Sequence, residues 1–243
     1  MKKSFFIIFL IITSILVFSD DYQVVYKTKI NLDSDKSLEH VTLKGKKVSE
    51  IYWGSFLLTI EDAGTTFDIM TGIDGYNPKI EYFDFNGDGY KDILLTTRSG
   101  GSGNYIMYDL YLYTGDDVIS YDIKPFIKDI KGFFMDQYKA VISYKDAFTY
   151  IDLSDRKKLY QEIKAYDQYG RFIKNYNELM IGGFSELEPF DFGNDGTYEL
   201  KGSIAISGLY HADSIGYLHF IYSVKKDKLL WLEVSKTIYV NVQ

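Results

Sequence analysis

The 243-residue chain contains no cysteine and only three prolines. Without cysteine there are no disulfides, thiolate catalysis, cysteine zinc sites or lipid attachment at an N-terminal Cys. No Ser/Pro/Gly-rich stretch divides the chain, so one domain over residues 20–243 is expected. Long apolar runs are scarce too. The one strong candidate, FFIIFLIITSILVF from Phe5 to Phe18, has 14 residues, short of the roughly 20 that span a bilayer. It follows Lys2 and Lys3 and leads into Val17-Phe18-Ser19, with Val and Ser at the small-residue positions of a cleavage site. That order predicts a secretory signal peptide over 1–19 and an exported, periplasmic or extracellular, mature chain starting at Asp20. An uncleaved anchor is the rival reading. No stable membrane insertion is expected after cleavage.

Positive charge is also in deficit. Removing Lys2 and Lys3 leaves 25 basic against 34 acidic residues, a net charge of −9. Such a surface argues against nucleic acid and anionic lipid as partners and suits divalent cations.

Aromatic residues are plentiful, at 17% of the chain with 23 Tyr. They fall in short β-branched and aromatic runs such as SFLLTIEDAGTTFDIM, DILLTTRSG, YIMYDLYLYTG, KAVISYKDAFTYIDL, GSIAISG and IGYLHFIYSV, each bounded by Gly, Asp or Asn. These read as strands. Between Tyr105 and Tyr113, Ile106, Tyr108, Leu110 and Leu112 alternate with Met107, Asp109, Tyr111 and Tyr113. That period of two predicts a half-buried strand, with Tyr111 and Tyr113 free to stack on sugars or to pair across strands. Leu159, Ile163 and Tyr166 lie at helical spacing, with Ser154 placed as N-cap and Gly170 beyond the end, so one short helix is predicted over Asp155–Tyr166.

Three acidic stretches share a nine-residue template: NLDSDKSLE (Asn31–Glu39), DFNGDGYKD (Asp84–Asp92) and DFGNDGTYE (Asp191–Glu199). Each has Asp or Asn at position 1, Asp at 5 and an acid at 9. Their starts are 53 and then 107 residues apart, one unit and about two, yet the stretch near residue 137, where a fourth would fall, carries no acidic pattern. The second and third loops each lead into a strand, a Ser-Gly turn and a tyrosine-rich strand, which makes the repeat a β-hairpin headed by an acidic loop.

Crowded carboxylates repel one another unless a cation sits among them. Oxygen ligands in a turn of irregular geometry suit Ca²⁺ better than Mg²⁺. The second loop supplies Asp84, Asn86, Asp88, the Tyr90 carbonyl and Asp92. The third supplies Asp191, Asp195, the Thr197 carbonyl and Glu199, with Gly193 contributing no side chain at position 3 and Asn194 as a substitute. The first supplies Asn31, Asp33, Asp35 and Glu39, with Lys36 where the others have Gly. A left-handed backbone at Lys36 would cost about 1 kcal/mol, so occupancy is expected in the order second, third, first. An EF-hand needs Glu at position 12, where Thr42, Leu95 and Gly202 stand, and that reading fails.

On these loops and the strands after them, the chain resembles the secreted bacterial FG-GAP/VCBS-type calcium-loop β-repeat proteins of unassigned function. The resemblance covers about half of the mature chain and lacks the Gly-Ala-Pro element. It implies a mainly β fold of antiparallel sheet repeats, a partial or small propeller-like array, with structural calcium. Its partners would be calcium and an extracellular protein or glycan.

Catalytic signals are weak. Ser207, His211, Asp213 and Ser214 fall in one turn with no nucleophile elbow. SGGSG (Ser99–Gly103) lacks the Lys-Ser/Thr and helix of a phosphate loop. The expectation is a non-enzymatic binding or scaffold module; a secreted hydrolase using His211 with a nearby acid is the alternative.

Overall fold

The β-branched and aromatic runs of the chain are separated by short turns, three of them the acidic loops, and antiparallel pairing follows from that spacing. The computed structural model describes residues 22–238 other than Ser102, so the expected signal peptide lies outside the described residues. Its first unit holds β1 (Tyr22–Ile30), β2 (Glu39–Lys47), β3 (Tyr52–Asp62) and β4 (Thr65–Met70), paired in sequence order. A second repeats the arrangement with β5 (Gly75–Phe83), β6 (Asp92–Arg98), β7 (Ile106–Tyr113) and β8 (Val118–Tyr121).

An insertion follows. It contains a 3₁₀ turn (Lys124–Asp129), the separate three-stranded sheet of β9 (Ile130–Met135), β10 (Lys139–Tyr144) and β11 (Ala147–Asp152), a second 3₁₀ turn (Ser154–Arg156) and α1 (Lys157–Glu162). The third unit is β12 (Met180–Phe190), β13 (Glu199–Ser207), β14 (Ser214–Ser223) and β15 (Lys228–Lys236). The mainly antiparallel β class with one short helix is as expected. Among the described residues, strand pairing joins the units at Tyr52↔Tyr76 and Trp53↔Gly75 between β3 and β5, and at Ile106↔Phe184 between β7 and β12. These few pairs link twelve strands into one sheet, and no closed barrel or propeller forms among the described residues.

The insertion explains the doubled spacing between the second and third loops. No unit has lost its loop: the region near residue 137 is the β9–β10 turn, with Gln137 and Tyr138 in the left-handed region. The helix is shorter than predicted. It ends at Glu162, because Lys164 adopts φ +54°, and Ser154 Oγ donates to Asp152 instead of capping it. Tyr160 carries its burial, while Leu159 is exposed.

Two hydrophobic cores flank the second unit. Ile93, Leu95, Tyr111 and Tyr113 pack on one side with Leu32, Val41, Phe56 and Leu58 of the first unit. On the other, Leu94, Tyr108 and Leu110 pack with the insertion and the third unit, including Phe134, Tyr160, Leu200 and Phe220. The strand expected to be half-buried is therefore covered on both faces. Tyr111 and Tyr113 are almost fully enclosed, which removes them as sugar platforms. Their hydroxyls donate to Asp109 (3.0 Å) and Asp62 (2.7 Å), meeting the polar requirement of burial.

Candidate metal centre

The three acidic loops close hairpins in the same register. Ile30 pairs with Glu39, Phe83 with Asp92 and Phe190 with Glu199, so positions 1–8 form the turn and position 9 begins the next strand. In each, the position-9 carboxylate reaches back to the main-chain N–H of position 2: Glu39 to Leu32, Asp92 to Phe85 (2.8 Å) and Glu199 to Phe192 (3.1 Å). The position-5 carboxylate accepts the N–H of position 7: Asp35 from Ser37 (2.5 Å), Asp88 from Tyr90 (2.8 Å) and Asp195 from Thr197 (3.0 Å). Position 1 accepts from the turn itself, Asn31 from Ser34 (2.6 Å), Asp84 from Gly87 (2.5 Å) and Gly89 (2.9 Å), and Asp191 from Asp195 (3.0 Å) and Gly196 (3.1 Å). The position-3 side chains of Asp33 and Asn86 accept the N–H groups of Asp35 and Asp88, both at 2.9 Å. These side chains organise the turn through its own N–H groups.

The left-handed residue common to the loops is at position 4: Ser34, Gly87 and Asn194 have φ of 67°, 76° and 53°. Gly89 and Gly196 at position 6 are also left-handed, whereas Lys36 is not among the positive-φ residues. The first loop thus avoids the strain expected of Lys36, because its chain reverses at Ser34.

Carboxylate gathering also differs from the expected order. Asp33, Asp35 and Glu39 bring one oxygen each within 4.8 Å of one another, and no other such acidic trio forms among the described residues. Burial raises the pKa of Glu39, while the Ser37 hydroxyl and N–H lower that of Asp35. In the second loop, fully enclosed Asp92 also accepts N–H groups of Asn86 (3.3 Å) and Tyr113 (3.1 Å). Burial is the main cause that pushes its pKa up to about 7, with the Asp88 charge adding to the rise and these N–H donors opposing it. A cation in the loop would favour the ionised form.

The loops are neighbours. Lys91 N–H, at position 8 of the second, donates to Leu32 O of the first (2.7 Å), and Tyr198 N–H, at position 8 of the third, donates to Asp84 O of the second (2.7 Å). Sequence reasoning missed these links and the apolar position 2, although Leu32, Phe85 and Phe192 repeat in the template. Leu32 and Phe85 are fully enclosed, but Phe192 is 52% exposed.

The turn holding His211 is arranged differently from a hydrolase triad. His211 is exposed, and Ser207 Oγ donates to its main-chain carbonyl (3.0 Å), not to its ring. Asp213 points inward, accepting from Arg156 Nη1 (2.5 Å), Tyr160 OH (2.8 Å) and Leu209 N (3.0 Å). No helix among the described residues is long and apolar enough to cross a membrane.

Residues 128–239, the insertion with the third unit, match the family described as YybI C-terminal domain. Over 230 residues the chain is 28% identical to the uncharacterized protein YybI of Bacillus subtilis (strain 168), covering 89% of this chain and 85% of that protein. No solved structure matches. The expected likeness to FG-GAP/VCBS proteins is overturned: the family match is to YybI, with none to those repeat families. A short acidic template in a hairpin turn is local chemistry that unrelated β proteins can share.

Proposed function

We propose that this protein is an exported β-repeat module with a binding or scaffold role, stabilised by structural calcium in its acidic loops. The observation that carries the reading is the shared geometry of the three loops, with the carboxylates of Asp33, Asp35 and Glu39 gathered in the first. The first loop leads because Glu39 Oε2 takes the Leu32 N–H while Oε1 lies 3.5 Å from Ser37 Oγ, on the side of Asp35. Asp92 has both oxygens engaged by N–H groups, and the third loop lacks a side chain at Gly193. In this reading the three four-stranded units are propeller-like repeats in an open array. Export rests on the basic and apolar N-terminal sequence, and the binding partner is an extracellular protein or glycan.

Thermal unfolding in EDTA and in millimolar calcium tests the metal. Extracellular calcium sites have a Kd of ~0.1–1 mM; at about 2 mM calcium and the tighter value, linkage predicts about 1.8 kcal/mol of stabilisation. Asp35→Ala removes most of that gain, and Asp195→Ala removes less. Absence of a calcium-dependent shift, with no binding by calorimetry, would leave the loops as acidic turns and refute the reading.

A further inference from the structure

Between the second and third units the sheet opens. Ile106↔Phe184 is the one residue pair that joins β7 to β12, and beyond it the units diverge around a hollow of about 490 Å³. That volume is within the ~300–1,000 Å³ of ordinary ligand sites. Its charged walls are Lys79, Glu81 and Arg98 from the second unit and Glu186, Glu188 and Lys201 from the third. The hollow extends both ways. Through Asn77 and Arg98 it continues into one of about 570 Å³ beside Tyr76; through Glu186, Glu188 and Lys201 it continues into one of about 140 Å³ beside Trp231.

The lining decides the class of ligand. Three carboxylates face three cations, so the cleft is electrically balanced on a protein whose net charge is −7. Four of these six charges are already paired within the walls, Lys79 with Glu81 at 2.8 Å and Lys201 with Glu188 at 2.9 Å. A charged polymer would have to break these pairs or face like charge, whereas a neutral group that both donates and accepts hydrogen bonds can bridge them. Arg98 is held by Nη1 contacts to the carbonyls of Asn104 (3.3 Å) and Ser185 (3.4 Å), which positions a guanidinium bearing five N–H donors. Apolar anchors of the kind that dominate peptide interfaces are few along the floor, where Ile106 and Leu187 are the aliphatic residues. Aromatic rings mark the two ends: Trp231 is 41% exposed, and Tyr76 is braced edge-on by Tyr52 at 4.9 Å. Aromatic rings at the ends and planar polar side chains between them suit a ligand that alternates C–H faces with hydroxyls.

We propose that this cleft binds a neutral linear oligosaccharide, its hydroxyls bridged by the Glu/Lys/Arg walls and its end rings stacked on Tyr76 and Trp231. The inference gives a ligand to the binding role proposed above. No cleft residue belongs to an acidic loop, so the calcium reading stands or falls separately on the unfolding experiment.

The test is calorimetry on the full chain, in calcium, with neutral hexasaccharides of the β-glucan, α-glucan, chitin, xylan and mannan types. Hexagalacturonate and a chitosan hexamer serve as the anionic and cationic comparisons. At least one neutral hexasaccharide binds in the millimolar range or tighter and shifts tryptophan emission. Trp231→Ala and Glu186→Gln, both at exposed side chains, each weaken binding about tenfold, the loss of roughly 1.4 kcal/mol expected of a moderate contact. Phe148→Ala, exposed on β11 away from the cleft, leaves the affinity unchanged, and unchanged unfolding midpoints show that each variant is folded. The proposal is overturned if no neutral hexasaccharide binds at millimolar concentration, if only a charged one binds, or if both cleft variants bind as the parent does.

Discussion

Replacing Asp213 by alanine removes the acceptor at the centre of a buried cluster that joins the insertion to the third unit. Asp213 and Arg156 have side chains only 1% and 5% exposed, and their ion pair spans 2.5 Å. Tyr160 OH and Leu209 N–H complete the ring of donors around the carboxylate. The alanine variant leaves three donors without this acceptor, one of them a guanidinium that cannot lose its charge. Breaking a buried pair from one side costs about 3–5 kcal/mol, a large share of the ~5–15 kcal/mol that holds a domain together. Arg156→Met should cost less, because the carboxyl left behind keeps Tyr160 and Leu209 and can take up a proton. Asp213→Asn should fall below Asp213→Ala, since it retains an acceptor oxygen. Urea unfolding followed by tyrosine and tryptophan emission measures all three. An Asp213→Ala effect under about 1 kcal/mol would mean that the cluster is no more than a surface pair in energetic terms, and an Arg156→Met effect exceeding it would refute the argument from protonation.

Two further outcomes follow from repeated or shared contacts. Phe85→Ala should destabilise by about 3–5 kcal/mol through the cavity it leaves, whereas Phe192→Ala, at the same template position but half exposed, should change stability by less than about 0.5 kcal/mol; equal effects in chemical unfolding would contradict the burial difference. Tyr121 and Tyr222 both donate to Asp227 Oδ1, the second at 2.5 Å, and these bonds hold the Asp227 carboxyl below its ordinary pKa. Its stabilisation is present above about pH 4, the unfolded value, and is lost as pH falls through the depressed folded value. Asp227→Asn should flatten the acid limb of stability against pH, and an unaltered acid limb would show that the two hydroxyls do not favour the charge.

The hairpins were legible in the sequence because turn chemistry is local: glycine, asparagine and aspartate spacing marked the acidic loops, and β-branched and aromatic runs marked β3, β4, β6, β7, β10, β11, β13 and β14, with a period of two in β7. What the alternation of β7 could not reveal was that its second face meets another unit, since Tyr111 and Tyr113 look amphipathic whether they face water or a neighbouring sheet. The insertion was illegible for a related reason. Its strands have the same composition as the repeat, so the 107-residue interval looked like two units when it is one unit carrying a foreign sheet. The assignment of left-handed geometry to position 6 followed the visible glycines, yet position 4 is the common reversal and is occupied by Ser, Gly and Asn. The carboxylate trio at Asp33, Asp35 and Glu39 was named as a ligand set but ranked last, because Lys36 was charged with a strain that its backbone does not adopt.

The near absence of strand pairing between the second and third units has a mechanical consequence. A sheet joined along its length resists bending through a ladder of hydrogen bonds, but Ile106↔Phe184 is a single rung and would act as a pivot. Other ties restrain it: the Tyr198-to-Asp84 bond between neighbouring loops, the Arg98-to-Ser185 and Tyr121-to-Asp227 bonds, and the inserted sheet, whose core reaches both Leu110 and Phe220. The insertion is thus a strap between the two units, and softening its core would weaken a contact that the single strand pair cannot replace.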